Sequence, residues 1–211
     1  MVRTVFLDRD GVVNKLCYHQ ELEVRCAPFI VNQFKLLSGV PEAINSLHRS
    51  GYLVILISNQ PDIGLGYMTL DDFEKIKQKM NKELIKAGAY LDGEYYCMHH
   101  PEAVIEKYKV TCDCRKPNPG LLLRAAREYN VDMSCSWFVG DYLSDVEAGE
   151  SAGCRTVLIN KKGQNNSVSI DSVKAKPDII CANITEAAQH ILQIKIEYVN
   201  NKCHNELLYI Y

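Results

Sequence analysis

Short, almost wholly apolar runs alternate along the chain with stretches whose apolar residues recur every three to four positions. The runs predict strands over Val2–Leu7, Tyr52–Ser58, Gly93–Cys97, Ser136–Val139, Thr156–Ile159 and Ile179–Cys181. No polar residue interrupts Leu53-Val54-Ile55-Leu56-Ile57, the pattern of a strand buried on both faces of a parallel sheet. The helical periodicity predicts helices near 40–50, 69–88, 119–130, 143–152 and 184–199. Thr69 is a candidate N-cap, and Asp71 and Asp72 in the first turn suit the helix dipole. Asn118-Pro119 marks another helix start. Strand–helix alternation implies an α/β fold, a doubly wound parallel sheet with its sites at the carboxyl ends of the strands.

Two links are too long for simple connections. Residues 14–37 separate the first strand from the first helix, and residues 98–115 are rich in Cys and His. Links of this length in a compact domain are usually functional loops or disordered. Residues 161–176 are polar and read as a surface excursion. The expected organisation is a single domain over 1–192, with a C-terminal extension over 193–211 that has no assigned role.

Composition narrows the classes. The chain has 211 residues and a formal net charge of −2, which suits one domain and gives no basic footprint for nucleic acid. Its apolar runs are too short to span a bilayer. Met1-Val2-Arg3-Thr4 leads straight into a strand, so no signal peptide is expected. The nine cysteines are odd in number and several adjoin histidines, which suggests metal binding in a reducing, cytoplasmic compartment rather than a disulfide framework.

The polar residues of interest fall at strand ends. The first strand stops at Asp8 and Asp10, which face the same way on an extended chain. Two carboxylates at the mouth of a core are costly unless paired, and a divalent cation is a natural partner. A plain Asp-Gly turn is the simpler alternative. The second strand ends at Ser58-Asn59-Gln60 and the fourth at Gly140-Asp141, with Asp145 following; Arg115-Lys116-Pro117 precedes a helix. In a parallel sheet these ends share one edge, and the set suits phosphoryl transfer, where positioning and charge stabilisation dominate. Separately, Cys97-Met98-His99-His100-Pro101 and Cys112-Asp113-Cys114 offer three thiolates and one imidazole, a closed zinc set that would staple the second long loop. Reduced cysteines beside a strand are the alternative. Cys17, Cys26, Cys135, Cys154, Cys181 and Cys203 lack ligand spacing and read as small hydrophobes or incidental thiols.

Asp8-Arg9-Asp10-Gly11-Val12-Val13-Asn14, Ser58-Asn59-Gln60, Cys112-Asp113-Cys114-Arg115-Lys116-Pro117 and Gly140-Asp141 with Ser144-Asp145 together resemble the four motifs of the haloacid dehalogenase (HAD) superfamily of phosphatases. Within it the chain is most similar to the heptose bisphosphate phosphatases and their histidinol-phosphatase relatives. The resemblance implies a Rossmann-like fold without a large cap. It implies that Asp8 is the nucleophile, that Asp10 is the acid and base, that Ser58 and Lys116 stabilise the phosphoryl group, and that Asp145 supports Lys116. It assigns catalytic Mg²⁺ to the Asp8 carboxylate, the Asp10 carbonyl and the Asp141 carboxylate. It assigns structural Zn²⁺ to Cys97, His99, Cys112 and Cys114, taking His99 over His100. Lys15, Tyr18, Asn59, Gln60 and Arg115 are the implied substrate contacts, Arg115 for a second phosphate.

The chain departs from that pattern twice. The heptose enzymes usually carry an arginine in the stretch after Gln60, here Pro61-Asp62-Ile63-Gly64-Leu65-Gly66, and a lysine where this chain has Tyr142. Losing both cations argues for a less anionic substrate or a phosphate held otherwise. The expected activity is therefore a Mg²⁺-dependent sugar-phosphate phosphatase, with the 7-phosphate of heptose 1,7-bisphosphate as the leading substrate. The alternatives are another small ester, such as histidinol phosphate, and a catalytically idle zinc module that binds a phosphorylated ligand. The length of the zinc loop argues against histidinol phosphate. The expected partner is one small phosphorylated metabolite, with neither nucleic acid nor membrane, on a monomer or weak homodimer.

Overall fold

Four-residue strand β1 (Thr4–Leu7) lies at the centre of a six-stranded, wholly parallel sheet in the computed structural model, which describes residues 1–160 and 176–194. The others are β4 (Leu53–Asn59), β5 (Gly93–Cys97), β6 (Trp137–Gly140), β7 (Arg155–Ile159) and β8 (Ile179–Cys181), in the order β5-β4-β1-β6-β7-β8. The chain moves outward from β1 first through β4 and then through β6, so the topological switch point falls beside β1. Five of these strands lie within one residue of the apolar runs at both ends. The first starts later, because Val2 pairs with Val131 outside the sheet.

Alternation along the strands sorts the core into two layers. Val5, Leu7, Val54 and Leu56 face α1 (Val40–Arg49), α2 (Leu70–Lys86) and a last helix over 184–194. Phe6, Ile55, Ile57 and Phe138 face α3 (Gly120–Tyr129) and α4 (Leu143–Ala152). Thr69 caps α2, its hydroxyl accepting from the Asp72 amide at 3.0 Å. Helix α3 starts one residue later than expected, with Pro119 at its N-cap.

The first long link is not a plain loop. It carries an antiparallel hairpin of β2 (Cys17–His19) and β3 (Val24–Cys26). Strands of only three residues are too short to show an alternation, which is why the sequence reads as unstructured there. No described helix is long and apolar enough to cross a membrane. The polar excursion over 161–175 and the chain from 195 onward, including most of the C-terminal extension, lie outside the described residues.

Candidate active site

The carboxyl ends of β1, β4 and β6 bring Asp8, Ser58 and Asp141 to one edge of the sheet, and the segment before α3 adds Lys116. Lys116 Nζ lies 2.7 Å from Asp8 Oδ1 and 2.6 Å from Asp145 Oδ1. It also donates to the Ile57 carbonyl at 3.3 Å. All of these side chains are buried. Burial works against the Lys116 ammonium, but Asp145 and Asp8 more than offset it, so the amine stays charged.

Two glycines permit this convergence. Gly11 has φ +91°, and a Cβ on it would lie 1.9 Å from Asp141 Oδ2. A Cβ on Gly140 would lie 2.2 Å from Asp145 Cβ. Both motif glycines are therefore spaces that carboxylates occupy.

Asp8, Asp141 and Asp145 each offer a carboxylate oxygen within 4.8 Å of the others. Three carboxylates share one ammonium, so full ionisation leaves two negative charges over. The strain appears in their acidities. Burial first, then Asp145 and Asp10, push Asp8 up to about 6 against the pull of Lys116. Burial, Asp8 and Asp145 push Asp141 up to about 9. A divalent cation with oxygen ligands matches that excess in both charge and donor type. Asp145 is already engaged by Lys116 and by the Tyr142 amide at 3.0 Å, which makes it a support and leaves Asp8 and Asp141 to face a cation.

Asp10 stands apart from that cluster. Its carboxylate accepts from Arg9 Nε at 3.1 Å, Asn14 Nδ2 at 2.9 Å and Gln60 Nε2 at 2.6 Å. Gln60 also donates to Ser58 Oγ at 3.1 Å, linking two expected catalytic groups. Arg9, buried at 0% exposure, and Asn14 were given no role by sequence reasoning. An arginine inside a buried strand end was the available signal, since such a charge needs a partner.

Two expected substrate contacts also bond neighbouring groups of the protein. Asn59 Nδ2 donates to the Lys116 carbonyl and its Oδ1 accepts from the Lys116 amide, both at 3.1 Å. Gln60 Nε2 donates to both Asp10 and Ser58, while its buried Oε1 has no hydrogen-bond partner. The two side chains thus tie Lys116, Asp10 and Ser58 to the end of β4. Motif position identified them as near the phosphate, but only the fold shows what their amides bind. The other expected contacts lie around the mouth. Tyr18 is exposed on β2 and Lys15 is exposed just before it. Arg115 is half-buried, donating to the His99 carbonyl at 3.3 Å. Tyr142 is half-exposed at the start of α4, and Leu65 sits in the turn after β4.

The second cluster forms as expected. Sγ–Sγ distances are 3.1 Å for Cys112–Cys114, 3.2 Å for Cys97–Cys114 and 3.7 Å for Cys97–Cys112. His99 Nδ1 lies 3.3 Å from Cys114 Sγ and 3.9 Å from Cys97 Sγ. A tetrahedral zinc site with Zn–S near 2.3 Å has edges of about 3.8 Å, so the four donors fit a metal ion with slight contraction. Burial opposes it, yet hydrogen bonds from Cys114, His99 and Cys97 bring the Cys112 thiol down to about 7. His100 turns away, its Nδ1 accepting from the Glu102 amide at 3.1 Å.

The HAD-hydrolase-like family model matches residues 113–187. The D-glycero-beta-D-manno-heptose-1,7-bisphosphate 7-phosphatase of Photorhabdus laumondii is 39% identical over 164 residues, 77% of this chain and 82% of that protein. The enzyme of the same name from Vibrio cholerae is 36% identical over 193 residues, 90% of this chain and 97% of that one. The solved D,D-heptose 1,7-bisphosphate phosphatase of B. bronchiseptica, complexed with magnesium and phosphate, superposes with a TM-score of 0.75 at 28% identity, covering 90% of this chain and 98% of that chain. Fold, site and relatives agree, and the chain belongs to the heptose-bisphosphate phosphatase family of HAD-like phosphoric monoester hydrolases.

Proposed function

We propose that this protein hydrolyses the 7-phosphate of D-glycero-D-manno-heptose 1,7-bisphosphate with Mg²⁺, through a phosphoenzyme on Asp8. The observation that carries the reading is the buried Lys116–Asp8 pair beside Asp141, a cluster two negative charges in excess. Magnesium held by the carboxylates of Asp8 and Asp141 and the Asp10 carbonyl would neutralise phosphate charge and allow an anionic nucleophile to approach.

In the first step an Asp8 carboxylate oxygen attacks phosphorus, the bond to the sugar oxygen breaks, and Asp10 gives that oxygen a proton. In the second step Asp10 takes a proton from water, the water oxygen attacks phosphorus, and the Asp8 acyl phosphate is cleaved to inorganic phosphate. The donors from Arg9, Asn14 and Gln60 keep the Asp10 carboxylate at one position for both transfers. Lys116 and Ser58 stabilise the phosphoryl oxygens as charge shifts onto them. Four protein ligands leave no open position at the cysteine–histidine cluster, so zinc there is structural.

Phosphate release with Mg²⁺, across heptose bisphosphates of both anomers, hexose phosphates and histidinol phosphate, tests the reading. The expected result is preference for a heptose bisphosphate, with Asp8→Asn inactive yet folded. Near-normal turnover by Asp8→Asn would sink the mechanism. Preference for another ester would keep the chemistry and replace the substrate.

A further inference from the structure

Arg3 and Arg155 are two cations that the proposed chemistry leaves unused. Arg3 immediately precedes β1 and Arg155 opens β7, so both lie at the amino ends of the strands, away from the catalytic edge. Asp8 follows Arg3 by five residues, about 16 Å of extended chain. Neither arginine enters any of the salt bridges among the described residues. Alternation puts both on one face of the sheet. Each stands two residues before a valine, Val5 or Val157, that packs in the layer of Tyr52, Trp137 and the last helix. Neighbouring strands β4, β1, β6 and β7 thus present Tyr52, Arg3, Trp137 and Arg155 at their amino ends, ring and cation in turn.

Each cation lies over a ring. Arg3 Cζ is 5.1 Å from the Tyr52 centroid, and Arg155 Cζ is 5.2 Å from that of Trp137. Burial pushes the Tyr52 phenol up while both guanidiniums pull it down, so the two act on one hydroxyl. All four side chains line a cavity of about 330 Å³, bordered on the helix side by Ile191 and Ile194. Its described lining holds no carboxylate. A guanidinium that rests on a ring keeps its in-plane N–H donors, so both forks remain free to grip a carboxylate or phosphate. The rings and the isoleucines supply the apolar part of a ligand pocket, and the volume lies at the small end of the range for such pockets.

We infer that this cavity is a second ligand site, separate from the catalytic edge, that takes a small amphipathic anion. A carboxylate or phosphate head lies between Arg3 and Arg155, and an apolar body of about one ring packs against Tyr52, Trp137 and Ile191. The assignment stands independently of the substrate reading, because none of its residues belongs to the catalytic set.

Trp137 is the only tryptophan in the chain, so its emission reports on this cavity directly. The test titrates the full chain with 4-phenylbutyrate and with phenylphosphonate, using 4-phenylbutanol as the uncharged control, and reads Trp137 fluorescence and calorimetric heat. The expected result is saturable binding of at least one anion with Kd of about 1 mM or below, and binding of the alcohol at least about tenfold weaker. Binding of the phosphonate alone assigns a phosphate head, and binding of the butyrate alone a carboxylate head. Arg3→Gln and Arg155→Gln should each weaken the bound anion about tenfold, the cost of one charge-assisted hydrogen bond. Arg155 is exposed, so its variant carries the test should Arg3→Gln not fold. Three results would overturn the assignment: neither anion binds saturably, the alcohol binds as tightly as the anions, or affinity is unchanged in the arginine variants. The last would place any bound phosphonate at the catalytic edge.

Discussion

Lys116 Nζ donates a hydrogen bond to Asp8 Oδ1 at 2.7 Å although 108 residues separate the two in sequence. The ammonium is the only protein cation bonded to Asp8 or Asp145 among the described salt bridges, so those carboxylates share a single countercharge. Truncating it would leave three buried carboxylates to repel one another. Lys116→Ala should lose about 10²- to 10³-fold in kcat, the usual cost of removing one charge-stabilising donor. Without Mg²⁺ it should also lose about 3–5 kcal/mol of stability, as when a buried pair loses one partner. Single-turnover kinetics and denaturant melts with and without Mg²⁺ read both effects. A stability loss that Mg²⁺ leaves unchanged would contradict the shared-charge account.

The same excess charge makes the protein without magnesium sensitive to pH. Asp8 and Asp141 hold their protons up to about 6 and about 9, because burial and neighbouring carboxylates disfavour ionisation. In the unfolded chain such groups ionise near pH 4. Between those limits the folded state binds more protons than the unfolded one, so stability falls as pH rises from about 4 to about 9. Magnesium bound at these carboxylates would compete with those protons. Its stabilising effect should therefore grow with pH over this window, and the pH dependence should flatten at saturating Mg²⁺. Thermal melts from pH 5 to 9 on zinc-loaded protein, with Asp141→Asn as the control, check this. A magnesium-induced Tm shift that is the same at both ends of the range would refute it.

Periodicity was enough for the sheet, because buried parallel strands are almost continuously apolar. Leu53-Val54-Ile55-Leu56-Ile57 needed no tertiary information to be read. The carboxylates at strand ends were legible for the related reason that charge at a core boundary calls for a partner. The hairpin over 17–26 was not legible, since its short strands bury one residue, His19, and carry no periodic signal. Nor was the division of labour within Ser58-Asn59-Gln60. Adjacent residues at a strand end point to different sides, so Asn59 reaches the Lys116 backbone while Gln60 spans Asp10 and Ser58. Such roles depend on what the other strands bring, which a local pattern does not encode.

The cysteine–histidine cluster joins the end of β5 to the segment that leads into Lys116. Cys114 lies two residues before Lys116, so a metal ion at this cluster would fix the approach of Lys116 as well as the loop. Cys112→Ser should abolish stoichiometric zinc binding and lower Tm by roughly 10 °C, the shift expected for a few kcal/mol in a chain of this size. It should also reduce kcat, because Lys116 loses its anchor. Metal analysis of purified protein reads the first effect, with one zinc per chain expected for wild type and none for the variant. Unchanged zinc content in Cys112→Ser would remove Cys112 from the ligand set.

Asn59 grips the main chain of Lys116 through two hydrogen bonds, one donated and one accepted, each 3.1 Å long. The pairing resembles a rung between strands, and it ties the end of β4 to the segment before α3. Asn59→Asp keeps the acceptor for the Lys116 amide but replaces the donor with a carboxylate that faces the Lys116 carbonyl. Asn59→Ala loses both bonds. A residue that touched substrate would raise KM when removed, whereas one that positions Lys116 should lower kcat with KM nearly constant. Asn59→Ala is expected to lose about tenfold in kcat, equivalent to about 1.4 kcal/mol of transition-state stabilisation, with Asn59→Asp falling at least as far. The loss should also nearly vanish in a Lys116→Ala background, because the lysine it positions is gone. Steady-state kinetics on the two single variants and the double variant decide the matter. A rise in KM without a fall in kcat, or full additivity with Lys116→Ala, would return Asn59 to the substrate-contacting set.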